Sequence, residues 1–207
     1  MGIIREQIVF IRSPKLFLQN LERHPRAAFV GLKHVVVISV LYEIAILLWA
    51  FGADTVTMPV FLKIPEMYYY FYELIFLIPV FIFTWLLAAA VAYILSKAFG
   101  GVGTYDSLLC GFGLAMAVSA YFTLIPDYVQ GVLWTTGWVP FDVYQELTGK
   151  GPLLFIVWAY MAAYTLAHLY FYTVTIHRTQ KLPVTWSIMT ALISYFCSFT
   201  VWITYMR

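Results

Sequence analysis

Residues 68–99 read YYYFYELIFLIPVFIFTWLLAAAVAYILSKAF, and Glu73 and Lys97 are their only formal charges. The hydrocarbon core of a bilayer is roughly 30 Å thick, which a helix crosses in about 20 residues at ~1.5 Å each. The stretch is long enough to span with length to spare. In lipid, every backbone N–H and C=O must find a partner inside the protein. A run without alternation of polar and apolar residues achieves that as a helix. This one segment therefore makes the chain helical and membrane-spanning, and excludes a β-barrel.

Outward from it, four more runs share its character, at about residues 27–51, 106–125, 152–176 and 184–206. With 68–99 they predict an all-α polytopic membrane protein, a five-transmembrane-helix bundle. Composition agrees: of 207 residues, 63% are hydrophobic, 19% aromatic and only 11% charged, with a mean hydropathy of +0.85. A soluble domain carries about 25% charged residues, so this chain cannot cover a globular surface of its size with polar groups. A soluble enzyme, a disordered tail and a nucleic-acid binder are excluded. Cys110 and Cys197 fall in different apolar runs, with no CxxC, so neither a disulfide nor a shared metal is expected. The first apolar run is too long for the core of a signal peptide. Glu6 stands where an N-myristoylation motif needs Ser or Thr.

Orientation follows from the basic residues. Arg5, Arg12, Lys15, Arg23 and Arg26 precede the first span, Lys97 lies by the second-to-third connection, and Arg178 and Lys181 lie between the fourth and fifth spans. Lys63, Lys150 and Arg207 fall on the other side. Eight against three, with Lys33 set aside as intramembrane, places the N-terminus in the cytoplasm and the C-terminus outside. Residues 1–26 form a cytoplasmic amphipathic segment and 27–207 the transmembrane domain, with no internal repeat. The long outer connections, 52–67 and 126–151, carry Pro59, Pro65, Pro126, Trp134, Trp138 and Pro140 and read as loops along the headgroup region.

In the N-terminal segment Ile4, Ile8 and Ile11 recur at helical spacing beside Arg5 and Arg12. Ser13-Pro14 restarts the chain as an N-cap and a first helical position. Phe17, Leu18 and Leu21 then make an apolar face, and Lys15, Gln19, Asn20 and Arg23 a polar one. Two readings stand side by side: an interfacial amphipathic helix with its bases near anionic headgroups, or a short helix packed under the bundle.

Ionisable groups inside the membrane are the first place to look for chemistry. Glu43 lies about 24 Å up the first span and Glu73 about 8 Å into the second from the opposite end. On consecutive antiparallel helices the two could meet, binding a cation or sharing a proton. The favoured alternative is that each caps a tyrosine or a backbone group, with Tyr42, Tyr68, Tyr69, Tyr70 and Tyr72 at hand. His34 and His168 fall about 10 Å and 12 Å from the inner ends of the first and fourth spans. Bis-histidine haem b needs such a pair, and Gly31 would let a flat macrocycle approach. Tyr164 and Tyr172 flank His168, however, and favour histidines hydrogen-bonded to tyrosine. His24 and His177 read as ordinary interfacial residues, and Lys33 as a snorkelling one. No metal or cofactor is assigned, and no catalytic constellation is present, so the chain does not read as an enzyme.

Small residues four apart let helices approach closely. Gly111, Ala115 and Ser119 form one such row, Gly113 with Ala117 a second, and Ala159, Ala163 and Ala167 a third. Between the second and third spans, Gly100, Gly101 and Gly103 supply a turn needing positive φ. Thr104 is placed to cap the third helix, with Asp106 in its first turn.

The stretch AFGGVGTYDSLLCGFGLAMA, residues 98–117, resembles the signature of the Ypt-interacting-protein (YIP) membrane-domain family. There a helix ends in a Gly-Gly-x-Gly/Ser-aromatic turn, and the next helix opens with a Gly-aromatic pair. Here these are Gly100, Gly101, Gly103, Tyr105 and Gly111-Phe112. SPKLFLQNLERHP, residues 13–25, resembles the segment before the first span in prokaryotic members. The Asp-Leu-Tyr-Gly-Pro sequence of eukaryotic trafficking members is absent, which points to the prokaryotic type. The resemblance implies five spans, an inside N-terminus in a prokaryotic cytoplasmic membrane, and a non-enzymatic role in binding or scaffolding membrane proteins or lipids. It supplies no catalytic residues. Two alternatives remain: a transporter subunit using Glu43 and Glu73, and a haem- or quinone-associated subunit of a respiratory complex using His34 and His168.

Overall fold

The computed structural model describes residues 2–21, 26–52, 63–65, 68–140, 142–143, 146 and 154–206, the side chains at 21 and 206 excepted. Seven helices run through them: α1 (Ile3–Arg12), α2 (Pro14–Leu21), α3 (Ala27–Gly52), α4 (Tyr69–Ala98), α5 (Tyr105–Thr135), α6 (Leu154–Thr179) and α7 (Val184–Met206). The last five are long and apolar enough to cross a membrane, and no strand occurs among the described residues.

α5 is the axis of the bundle. Of its most apolar stretch 78% is buried inside the protein, against 11% for α6. α3, α4 and α6 pack against it, and α7 closes the outside between α4 and α6. The reason lies in the side chains of α5. Gly111, Gly113, Ala115, Ala117, Ser119 and Ala120 keep bulk low where neighbouring helices cross, so they come close there. A Cβ on Gly113 would lie 2.5 Å from the Gly31 carbonyl oxygen, and one on Gly31 2.3 Å from that of Leu109. Gly31 thus serves the α3–α5 crossing. On another face a Cβ on Gly111 would meet Thr175 of α6 at 2.3 Å. The third small-residue row behaves differently: Ala159 is exposed, and Ala163 and Ala167 are only half-buried.

The largest departure from the sequence reading is at the far end of α5. The sequence predicts that the third span ends near residue 125, with a loop from Pro126. Instead the helix runs through Pro126 to Thr135. Contact with α3 holds the extension. Trp49 Nε1 donates to the Asp127 carbonyl at 3.0 Å, Tyr128 OH to that of Leu41 at 2.8 Å, and Thr135 Oγ1 to that of Leu48 at 2.9 Å. The helix stops at Gly137, whose φ is +70°. Gly137 N–H reaches the Trp134 carbonyl and Trp138 N–H that of Leu133, a Schellman ending. Most of the expected loop 52–67, much of 141–153, and Arg23 and His24 lie outside the described residues.

The turn between α4 and α5 is built on the same plan. Gly100 has φ +84° and closes α4, its N–H on the Lys97 carbonyl and that of Gly101 on Ser96. Gly101 and Gly103 have other roles from the one expected, because neither takes positive φ. A Cβ on Gly103 would sit 2.0 Å from the Thr179 carbonyl oxygen, and one on Gly101 2.8 Å from that of Ser96. Lys97 Nζ ties the turn by donating to the carbonyls of Gly101 and Gly103 at 3.1 and 3.0 Å. Thr104 caps α5, accepting from Ser107 N–H at 3.3 Å.

Candidate functional site

Two polar assemblies lie inside the bundle, one in each half. The first belongs to α1, which with α2 fills the gap beside α5 between α3 and α6. Its polar face points inward: Glu6 and Gln7 are buried with Phe10, while Ile4, Ile8 and Ile11 are exposed. Phe10 packs on Phe17 of α2 and Phe171 of α6. One oxygen of Glu6, Oε2, accepts from Lys33 Nζ at 2.6 Å and from His34 Nε2 at 2.9 Å. Gln7 Nε2 lies 3.3 Å from His34 Nδ1, and Tyr121 OH donates to Gln7 Oε1 at 3.1 Å. These contacts are mutually consistent if His34 carries its proton on Nε2, donating to Glu6 while Nδ1 accepts from Gln7. The helix is therefore locked into the bundle by side chains of α3 and α5, rather than lying in the interface with its polar face in water.

Lys33, expected to snorkel without a role, is half of this ion pair. Glu6 and Gln7 are the residues that sequence reasoning missed. The sequence does carry a signal for Glu6, which lies on the opposite side of α1 from the isoleucines, and Lys33 needs a counter-charge.

The second assembly is a cavity of about 50 Å³ in the other half of the bundle, with walls from all five spanning helices. Tyr42, Glu73, Asp127, Thr123, Tyr160 and Tyr164 bring its polar atoms. Glu73 and Asp127 are 7% and 6% exposed. Tyr42 OH hydrogen-bonds Thr123 Oγ1 and donates to the Ala120 carbonyl at 3.2 Å. A smaller chamber of about 20 Å³ adjoins it, sharing Met116, Tyr164, Phe199 and Trp202. His168 lines that chamber at 3% exposure, ringed by Tyr164, Tyr172 and Tyr195 with centroids 5.3, 4.5 and 5.3 Å away. Its Nδ1 is buried with no hydrogen-bond partner.

Of the expected carboxylate pair, Glu73 lines the cavity and half-buried Glu43 does not. Asp127 is the second acid of the chamber, missed because Pro126-Asp127 reads locally as the start of a loop. Of the expected histidine pair, His34 has both ring nitrogens engaged by α1, and His168 stands in its tyrosine ring. Among the described residues no group of three or more His, Cys, Asp or Glu is placed to hold a metal. Cys110 is buried and Cys197 exposed, both free thiols.

Comparison with protein-family models, with curated proteins and with solved structures found no match. The class is set by the fold: a helical bundle with five helices suited to an integral membrane protein.

Proposed function

We propose that this is a non-enzymatic integral membrane protein of the YIP type, resident in a prokaryotic cytoplasmic membrane with its N-terminus inside, that binds other membrane proteins or lipids. The observation that carries the reading is the N-terminal hairpin. Glu6 and Gln7 lock α1 to the bundle, so Ile4, Ile8 and Ile11 are held outward beside the exposed Arg5 and Arg12. A fixed apolar stripe flanked by bases suits anionic headgroups and neighbouring apolar helices at the membrane boundary. The glycine turn lends support to the resemblance, because each of its three glycines has a distinct structural task. Five spans without an internal repeat also fit binding better than alternating access.

The test is native mass spectrometry of the protein extracted in native nanodiscs. Replacing Ile4 and Ile8 by Ser and Arg5 and Arg12 by Gln should strip co-purifying anionic phospholipid or partner protein, with the bundle still folded. Unchanged co-purification in that variant would sink the reading.

The cavity favours a second reading, a transport-related subunit, because buried acids inside a membrane bundle mark ion or substrate sites by default. His34, with both nitrogens held by α1, lends no support to a haem- or quinone-linked subunit.

A further inference from the structure

We propose that the chamber beside His168 is a binding site for a single water molecule, which links α6 to α4 and α7 by hydrogen bonds. The proposal is independent of the lipid- and protein-binding role above, which rests on the N-terminal hairpin.

Three observations converge. First, Nδ1 of His168 is buried without a hydrogen-bond partner, in a residue only 3% exposed. Nearly every buried polar atom in a native protein is paired, by a protein group or by an ordered water. Among the described residues no protein group does this for Nδ1. The surrounding rings meet the imidazole by their faces and edges: Tyr164 and Tyr172 are close to perpendicular to it, and Tyr195 is tilted. The Tyr195 hydroxyl bonds to Thr165 Oγ1 instead, at 3.2 Å.

Second, there is room. One water needs roughly 10–15 Å³ of such space, and the chamber that His168 lines has about 20 Å³. Size therefore selects water over any larger molecule. Third, the wall offers further partners. A buried water makes about three hydrogen bonds. Thr84 of α4 and Ser198 of α7 line the chamber with His168. Thr84 Oγ1 donates to the Val80 and Phe81 carbonyls at 2.9 and 3.1 Å, and Ser198 Oγ to that of Tyr195 at 3.0 Å. A hydroxyl that spends its proton on its own helix keeps lone pairs for another donor. The water gives one proton to Nδ1 and the other to a hydroxyl oxygen of α4 or α7. An uncharged imidazole has a lone pair on one ring nitrogen and a proton on the other, so His168 then carries its proton on Nε2. The bridge adds a polar tie between α6 and α7 to the Thr165–Tyr195 bond.

The test uses the full chain in lipid nanodiscs, with ¹⁵N-labelled histidine and solid-state NMR, His168 being assigned through its backbone. The Nδ1 resonance is expected in the unprotonated range, with magnetisation transferred to it from water protons. This readout needs no variant to fold. Melting temperatures give a second. His168→Phe strands the water and should lower the melting temperature by about 2–4 °C, as loss of one hydrogen bond does. His168→Gln keeps an acceptor and should lose less. Were Nδ1 without water, His168→Phe would raise the melting temperature by removing an unpaired buried polar atom. A protonated Nδ1, no transfer from water, a His168→Phe melting temperature equal to or above that of the native chain, or an equal loss in His168→Gln would each overturn the assignment.

Discussion

Glu6 of α1 and Lys33 of α3 are joined by a 2.6 Å ion pair inside the bundle, and the same carboxylate oxygen also holds His34 at 2.9 Å. The pair fixes how the first helix meets the membrane. Glu6 and Lys33 side chains are 10% and 27% exposed, so neither charge is well solvated. Removing one leaves the other with poor company.

Glu6→Ala should therefore be costly. A fully buried pair loses about 3–5 kcal/mol when one partner is removed, and the partial exposure of Lys33 places this one lower, at about 2 kcal/mol. Glu6→Gln keeps a hydrogen bond and should cost less. Lys33→Ala together with Glu6→Ala should cost less than the sum of the singles. Thermal unfolding in detergent and protease sensitivity of the hairpin would measure this. Additive single effects would mean that the pair contributes nothing by itself.

The α4–α5 turn separates two reasons for glycine. Gly100 has positive φ and open space around it, so Gly100→Ala should cost roughly 1–2 kcal/mol from backbone strain alone. Asn should recover part of that. Gly103 has no such strain but no room, with Thr179 backbone 2.0 Å from its would-be Cβ. Gly103→Ala should lower folded yield further, and Asn should rescue nothing. Equal behaviour of the two alanine variants would refute the distinction.

The small-residue rows on α5 and α6 give a matched contrast. Gly113→Ala forces a methyl against the backbone of Gly31 and should destabilise by about 1–3 kcal/mol, the range for overpacking. Ala159→Leu, on an exposed position, should be near neutral. Melting temperatures of the two variants in one detergent decide the matter. A destabilising Ala159→Leu would show that the outer face of α6 is covered, as by a second copy.

The five spans are legible because their signal is length and apolarity, which lipid imposes whatever the packing. α3 and α4 begin and end within a residue of the expected limits. The far end of α5 is not legible, because Pro126 breaks a helix locally, while what carries this one onward is contact with α3 through Trp49 and Leu48, far away in sequence. The polar clamp is hidden for a different reason. In water the apolar stripe of a short helix packs inward, so Ile4, Ile8 and Ile11 look like a buried or inserted face. Glu6 and Gln7 turn inward to partners, Lys33 and His34 on α3 and Tyr121 on α5, that stand far away in the sequence. The Glu43–Glu73 pairing fails as a guide to the cavity because depth along a helix says nothing about azimuth. Tyr42 faces the cavity and its neighbour Glu43 does not.

The last prediction concerns length and sidedness. α5 has 31 residues, about 46 Å at ~1.5 Å per residue, well beyond a hydrocarbon core of roughly 30 Å. Its start is fixed by the turn at Gly100–Thr104 and packs against the end of α6, so the excess must emerge at Thr135 or be absorbed by tilt. Cys110 and Cys197 can be replaced by Ser to clear the background, and single cysteines then placed at Arg12, Leu124 and Trp138. Trp138, 82% exposed just beyond the Gly137 ending, should label readily with a membrane-impermeant maleimide. Leu124, 4% exposed, should not. On the proposed orientation, which the charge asymmetry of eight against three predicts, position 138 should label in intact cells and position 12 only after lysis. Labelling of both from the same side would break the three-crossing path from α3 through α5.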